Sequence, residues 1–325
     1  MPRTSPLYAL VLAFVPLFTS IAIAADLEVQ TIEHQANSVG RKMKYNIVLP
    51  AGYEKSNDRY PVLYLLHGLT SNYTAWSKMN VPKAAAAYKL IVVMPDVGNS
   101  WYVNWAETSD DHKNRWEDYI IKDLIGHVDA QYRTIARREG RAINGLSMGG
   151  YGAIMLGLRH PDMFCSIGSH SGALAFAQRT GESLAKGEQA DFMKREWGDE
   201  LNPLIKIDGF DTPKKRTPQG KIFLTAAECD AHDPFKLVLK VDRAKLPHIY
   251  VDCGTEDRLI DSSRRFGKLL MDNNIPFVYA ESAGGHLPPY WAREVATSMA
   301  VQNLLIERSL AQAARDGVKA AAGGE

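Results

Sequence analysis

The sequence predicts an α/β fold built on a mainly parallel β-sheet. Two apolar runs of strand length, residues 61–66 and 90–94, contain no alternation with polar residues, which is typical of strands covered on both faces. Between and after them lie segments with helical spacing of apolar residues, such as residues 116–132. The resulting order of strand, helix, strand and helix favours parallel pairing with helices on both faces.

Length and composition indicate a globular chain with no bias toward charged partners. The 325 residues are 46% hydrophobic, which is ample for a large core. Lys and Arg number 38 and Asp and Glu 37, so the net charge is only +1. A polyanion such as nucleic acid is therefore excluded as the main partner.

The first 24 residues have the layout of a secretory signal peptide. Arg3 gives a short basic start, residues 7–18 are apolar, and Ala22-Ile-Ala24 is a small-residue cleavage site. We expect cleavage after Ala24, a secreted or periplasmic location, and no stable membrane insertion of the mature chain. The alternative is an uncleaved anchor over residues 7–25.

Residues 25–325 are expected to form a single domain. Alternation in residues 27–34 and 42–49 predicts two antiparallel strands at the sheet edge. Later strands are expected at residues 164–167, 247–252 and 277–280, and helices at 81–88, 148–160, 261–271 and 295–310.

Two further segments break this regularity. Residues 171–220, after the sixth strand, mix glycine, proline and a basic run, and are interpreted as an insertion that is either a cap or partly helical. Residues 311–325 are expected to be a flexible tail. The three cysteines are interpreted as buried thiols, with a bridge between Cys229 and Cys253 as the alternative.

A candidate nucleophile lies where a strand turns abruptly into a helix. Gly145-Leu-Ser-Met-Gly149 fits G-x-S-x-G, in which Ser147 stands on a strained turn with its hydroxyl clear of the backbone. A serine hydroxyl is a weak nucleophile at neutral pH, so it needs a histidine base and an acid that orients the histidine.

Chain order selects the partners of Ser147. In such sheets the acid and then the histidine follow the serine, each at the carboxyl end of a strand. His286 follows an apolar strand on a Gly284-Gly285 turn, and Asp257 follows the strand before it. Asp261 is the nearest competitor, but it is expected to be the N-cap of the next helix.

Two other histidines after Ser147 are given structural interpretations. His160 ends a helix before Pro161 and is expected to cap its carbonyls. His170 lies beside Ser169 at a strand end, where neighbouring side chains point to opposite faces, and is expected at the pocket floor.

The remaining site residues follow from the same topology. Oxyanion donors are expected at the backbone amides of Met148 and of Leu69, which follows an early strand. A substrate pocket is assigned to a further group of side chains, of which the aromatic ones either line an acyl or alcohol pocket or cover the core: Trp101, Tyr102, Trp105 and Ser171.

Four motifs in this order resemble the putative-esterase family of α/β-hydrolases, over residues 42–305. They are Leu65-Leu-His-Gly-Leu69, Gly145-Leu-Ser-Met-Gly-Gly150, Cys253-Gly-Thr-Glu-Asp257 and Gly284-Gly-His286. That family includes tributyrin esterases, feruloyl esterases, S-formylglutathione hydrolases and mycolyltransferases.

The resemblance implies an α/β-hydrolase fold, a Ser147, Asp257 and His286 triad, and hydrolysis of short acyl or aryl esters. Substrates would be small or polysaccharide-linked esters, and no cofactor or metal is expected. Formylglutathione hydrolases are typically cytosolic, which conflicts with the signal peptide. Acyl transfer uses the same triad and stays open, whereas a non-catalytic binding module would be expected to have lost a triad member.

Overall fold

The computed structural model describes residues 26–106, 113–187 and 221–322. Within them one sheet contains eight strands: β1 (Val29–Ala36), β2 (Arg41–Val48), β3 (Val62–Leu66), β4 (Ile91–Pro95), β5 (Arg141–Gly145), β6 (Ser166–His170), β7 (His248–Gly254) and β8 (Phe277–Ser282). Their spatial order is β1-β2-β4-β3-β5-β6-β7-β8. Only the β1–β2 and β2–β4 pairs are antiparallel. The predicted mainly parallel sheet with an antiparallel N-terminal edge is confirmed.

Helices connect the strands on both faces of the sheet. Those in the described residues are α1 (Val81–Ala85), α2 (Trp116–Asp118), α3 (Ile125–Gln131), α4 (Met148–Arg159), α5 (Phe176–Ala185), α6 (Ala226–Asp230), α7 (Pro234–Lys240), α8 (Ile260–Asp272) and α9 (Pro288–Ala322). A π-helical segment, Tyr119–Leu124, joins α2 to α3. The helix predicted over residues 116–132 is thus continuous but wider in its middle.

The strand β3 shows why its sequence is continuously apolar. Val62, Tyr64 and Leu66 belong to the hydrophobic cluster on one face of the sheet, whereas Leu63 and Leu65 belong to the cluster on the other. All five side chains are at most 1% exposed. Because alternate residues of a strand point to opposite faces, a strand covered on both sides favours apolar residues at every position.

The closing helix α9 is longer than the sequence analysis expects. Its first half is held by Val295, Met299 and Ile306, which are all buried against the sheet. It continues to Ala322, so residues 311–322 are helical where a tail was expected. The segment is rich in alanine, the best helix former, and a single Gly317 costs only about 1 kcal/mol.

Some expectations lie partly outside the described residues. The predicted signal peptide, residues 1–24, lies entirely outside them, and of the predicted insertion only residues 171–187 are described, where α5 falls. No helix in the described ranges is both long and apolar enough to span a membrane. Cys165, Cys229 and Cys253 are free and buried, so the alternative of a bridge is wrong.

The parallel part of the sheet determines where a site can form. Strands β3, β5, β6, β7 and β8 run in one direction, so their carboxyl ends lie along the same edge of the sheet. Loops that are far apart in sequence therefore meet at this edge.

Candidate active site

Ser147 stands on a strained turn between β5 and α4. Its backbone has φ 54° and ψ −116°, a left-handed conformation that non-glycine residues rarely adopt. A side chain on Gly145 would collide with the carbonyl group of Gly149, and one on Gly149 with the carbonyl oxygen of Leu66. Glycine at both positions is therefore a steric requirement of the turn.

The structure brings His286 and Asp257 to Ser147. The Nε2 atom of His286 lies 2.9 Å from Ser147 Oγ. Its Nδ1 atom lies 2.9 Å from Asp257 Oδ2 and 3.1 Å from Oδ1. The serine hydroxyl, the imidazole and the carboxylate thus form one hydrogen-bonded series. The imidazole side chain in its middle is 18% exposed.

Asp257 is buried yet held as a carboxylate. Burial by itself would raise its pKa, but the hydrogen bond and charge of His286, the amide of Leu259 and the hydroxyl of Ser171 together lower the pKa below its usual range. The Leu259 amide donates to Asp257 Oδ1 at 2.8 Å. An acid that is ionised at neutral pH at this place orients the imidazole and stabilises its protonated form.

Asp261, the competitor for the acid role, is an exposed residue in the first turn of α8. It is not the helix N-cap that the sequence analysis expects, because the helix starts at Ile260 with Leu259 as its N-cap. Asp257 contacts the imidazole because it lies three residues after the end of β7, before the chain turns into α8.

The predicted oxyanion donors belong to two elements that lie close to Ser147, the helix α4 and the loop after β3. Met148 is the first residue of α4, where an amide has no partner within the helix. The loop after β3 also approaches closely, since a Cβ atom added to Gly68 would lie 3.3 Å from Ser147 Cβ. Neither the Met148 amide nor the Leu69 amide has a hydrogen-bond partner in the described part of the chain.

The aromatic residues assigned to a substrate pocket are buried in the fold. Trp101 is 3% exposed and stacks on Phe176 with 3.6 Å between ring centroids, and Tyr102 and Trp105 are 0% and 6% exposed. The indole nitrogen of Trp105 donates to a backbone carbonyl at 2.8 Å. These contacts match the alternative in which the aromatic side chains cover the core.

Ser171, the fourth residue assigned to the pocket, is buried in the fold and helps to lower the pKa of Asp257. It is 0% exposed, with φ 46°, and its Oγ atom accepts the thiol of Cys253 with 3.9 Å between the two atoms. Its amide donates to the carbonyl oxygen of Asp252 at 2.8 Å. Sequence reasoning missed this role because β6 and β7 become neighbours only in the sheet.

The other histidines lie away from Ser147 Oγ. His170 is 0% exposed, its Nδ1 atom is 2.7 Å from Asp252 Oδ2, and its Nε2 atom is 2.8 Å from Ser298 Oγ. His160 does not cap a helix carbonyl as expected. Its Nε2 atom lies 2.7 Å from the buried carboxylate of Glu117 on the neighbouring helix α2. A carboxylate is a stronger hydrogen-bond partner for the imidazole than a helix carbonyl.

The arrangement can perform nucleophilic acyl chemistry. A base is within hydrogen-bond distance of a strained serine, an ionised acid orients the base, and the amides of Met148 and Leu69 have no hydrogen-bond partner in the described part of the chain. No group of three or more potential ligands that could hold a metal ion occurs in the described ranges.

Comparison with known proteins identifies the class. The profile of the putative esterase family matches residues 36–316, and the chain belongs to this family. Its fold is that of the α/β-hydrolases, as in FphF of Staphylococcus aureus, a fluorophosphonate-binding serine hydrolase. That structure has a TM-score of 0.66 and 23% identity, with 86% of this chain and 99% of that chain covered.

Two curated relatives have the same identity to this chain but differ in how much of their own length is covered. Esterase Rv1288 of Mycobacterium tuberculosis is 27% identical over 268 residues, which cover 78% of this chain and 54% of the relative. The chain therefore spans about half the length of that esterase. The acetyl esterase of Caldicellulosiruptor saccharolyticus is 27% identical over 248 residues, which cover 74% of this chain and 83% of the relative.

Proposed function

We propose that this chain is a serine carboxylesterase that hydrolyses short-chain acyl or aryl esters through an acyl-enzyme. The observation that carries the proposal is the hydrogen-bonded series of Asp257, His286 and Ser147, with 2.9 Å between His286 Nε2 and the serine oxygen. Membership of the putative esterase family supports the same activity.

In the first half-reaction Ser147 Oγ attacks the ester carbonyl carbon, and His286 Nε2 takes the hydroxyl proton. The carbonyl oxygen becomes an oxyanion that accepts hydrogen bonds from the amides of Leu69 and Met148. When the carbon–oxygen bond to the alcohol breaks, His286 gives the proton to the leaving alcohol. Asp257 stays ionised and stabilises the imidazolium between these steps.

In the second half-reaction water takes the place of the alcohol. His286 removes a proton from water, the hydroxide attacks the acyl-enzyme, and the proton returns to Ser147 as the acid leaves. An alcohol acceptor in place of water would give acyl transfer by the same steps. Product analysis with an added sugar or alcohol separates the two outcomes, and we expect hydrolysis to dominate.

The proposed substrates are small or polysaccharide-linked esters with short acyl groups, and the proposed location is outside the cytoplasm. The acetyl esterase relative supports a short acyl group. The basic start, apolar run and small-residue site in residues 1–24 support export. Sequencing the N-terminus of the mature protein tests export, and we expect it to begin at Ala25.

The activity is tested with Ser147→Ala against p-nitrophenyl acetate and butyrate. We expect the wild type to turn over both esters and the variant to lose at least about 10³-fold in kcat, since the nucleophile is gone. A fluorophosphonate probe should label Ser147 of the wild type, and His286→Ala should abolish labelling. Undiminished turnover by Ser147→Ala, or labelling at Ser171 instead, contradicts the proposal.

A further inference from the structure

The loop that carries the Leu69 amide is tied to the chain segment after β4. His67 is 1% exposed, and its Nδ1 atom lies 2.7 Å from the carbonyl oxygen of Gly68. Its Nε2 atom lies 3.1 Å from the amide nitrogen of Val97. A carbonyl can only accept and an amide can only donate, so the proton of His67 is on Nδ1. The imidazole therefore joins the loop to the neighbouring segment.

Tyr102 connects this loop to helix α4. Its hydroxyl donates to the carbonyl oxygen of His67 at 2.8 Å. Its ring lies against Gly152 of α4, because a Cβ atom added there would be 2.6 Å from the Cγ atom of Tyr102. Tyr102 thus contacts both elements that supply a proposed oxyanion donor, namely the loop with Leu69 and the helix that begins at Met148.

Asn99 holds the other end of the same loop. It is 1% exposed, and its Oδ1 atom accepts the amide of Thr70 at 2.8 Å, one residue after Leu69. The next amide along the loop is therefore occupied, while that of Leu69 is left for a ligand.

Backbone conformation shows that the contact between Tyr102 and the loop around Leu69 is enforced by the surrounding structure. Thr70, Trp101 and Tyr102 have φ values of 62°, 59° and 61°, in the left-handed region. Bulky residues avoid this region, and such strain persists only where surrounding contacts determine the conformation. Two consecutive aromatic residues in this state direct the Tyr102 hydroxyl at the loop.

We propose that Tyr102 and Asn99 are positioning residues for the oxyanion site. They fix the loop around Leu69 against helix α4, so that the amides of Leu69 and Met148 are directed at one oxygen atom. The proposal rests on the proposed esterase function. It accounts for a buried tyrosine, an asparagine and a strained segment that the triad itself does not use.

The test compares Tyr102→Phe with Tyr151→Phe as a matched control. Both tyrosines are 0% exposed, and the Tyr151 hydroxyl donates to the carbonyl oxygen of His232 at 3.0 Å, so each variant loses one bond of the same kind. We expect Tyr102→Phe to lower kcat for p-nitrophenyl acetate about tenfold, part of the 10²–10³ that a lost donor costs. KM should not change, because the oxyanion exists only in the transition state.

Two further measurements separate positioning from damage to the fold. Active sites are counted by fluorophosphonate stoichiometry, so that kcat refers to competent molecules. Affinity for a trifluoromethyl ketone, whose adduct with serine carries an oxyanion, should fall by the same factor as kcat in Tyr102→Phe. It should be unchanged in Tyr151→Phe.

Asn99→Leu is the second, independent variant, and it should reproduce the lower kcat and the weaker ketone binding. The inference is overturned if Tyr102→Phe matches Tyr151→Phe in both measurements, or if kcat falls without a loss of ketone affinity. A wild type that neither hydrolyses esters nor reacts with the fluorophosphonate overturns the proposed function itself.

Discussion

The molecule contains two sets of serine, histidine and aspartate with nearly the same distances. In one, His286 lies 2.9 Å from both Ser147 Oγ and Asp257 Oδ2. In the other, His170 lies 2.8 Å from Ser298 Oγ and 2.7 Å from Asp252 Oδ2. The second set is sealed, because each of its three residues is at most 1% exposed.

The sets differ in the elements that carry them. Ser147 and His286 stand on a strained turn and on a loop at the strand ends, where a substrate can approach. His170, Asp252 and Ser298 lie within β6, β7 and α9. The Ser298 hydroxyl lies 3.1 Å from its own helix carbonyl at Val295, a local bond that competes with proton transfer. Three residue types at the right distances therefore do not make a catalytic site without access and free oxyanion donors.

The different roles of the two sets are tested most directly by exchanging each aspartate for asparagine. Asp257→Asn should lower kcat by up to about 10⁴-fold, because the imidazole loses its orienting carboxylate. Asp252→Asn should instead lower the free energy of unfolding by about 3 kcal/mol, since it breaks a buried pair. The carboxylate of Asp252 also accepts from the hydroxyls of Tyr250 and Tyr290. Ester turnover and urea unfolding of both variants measure this.

Turnover per folded molecule should be unchanged in Asp252→Asn. The opposite assignment, with turnover lost in Asp252→Asn and kept in Asp257→Asn, would make the sealed set the functional one.

Another buried histidine, His34, extends this comparison of histidines through its pH dependence. Burial, and then the neighbouring His127, lower the pKa of His34 from 6.5 to about 4. The rings of His34 and His127 stack at 4.6 Å, with Tyr45 and Tyr119 beside them and Asp123 nearby. His170 and His286 have a ring nitrogen 2.7 Å and 2.9 Å, respectively, from a carboxylate oxygen, whereas His34 has no carboxylate in hydrogen-bond contact within the described residues.

His34 should therefore make the fold less stable in acid. Below pH 6.5 the unfolded chain binds a proton that the folded state refuses, so stability falls as the pH drops toward 4. The free energy of unfolding falls between pH 7 and pH 4.5, and we expect this fall to be about 2 kcal/mol smaller in His34→Phe than in the wild type. Urea unfolding at both pH values measures it, and an unchanged pH dependence would show that the stacked histidines are not responsible.

The smallest effect concerns the two serines. Ser298→Ala removes the two buried hydrogen bonds of this hydroxyl, with His170 Nε2 and with the Val295 carbonyl, for an expected loss of about 1.5 kcal/mol in unfolding free energy. Turnover per folded molecule should equal that of the wild type, in contrast to Ser147→Ala. Thermal unfolding and p-nitrophenyl acetate hydrolysis of the variant measure both, and a loss of activity without a loss of stability would contradict the structural role of Ser298.

Much of the fold follows from local pattern. The doubly covered strands β3 and β4 are visible as uninterrupted apolar runs, and the elbow at Ser147 is visible as glycines around a serine. The sequence analysis predicts too short a helix α9, because the helix propensity of an exposed segment is weak for each residue and counts only when it is summed over many residues. The partner of His160 is not predicted for a different reason, since Glu117 lies on α2, which is distant in sequence and becomes a neighbour only in the fold.

The sheet, the turn at Ser147 and the chain order that selects Asp257 and His286 can be predicted from the sequence. These features depend on local sterics and on hydrophobic periodicity, which a single strand or turn already expresses. Three other features emerge only in the folded chain: Ser171 helps to lower the pKa of Asp257, Tyr102 bonds the loop near Leu69, and His170 is sealed. Those contacts join residues from different strands and loops, and their distances are set when the sheet brings strand ends together.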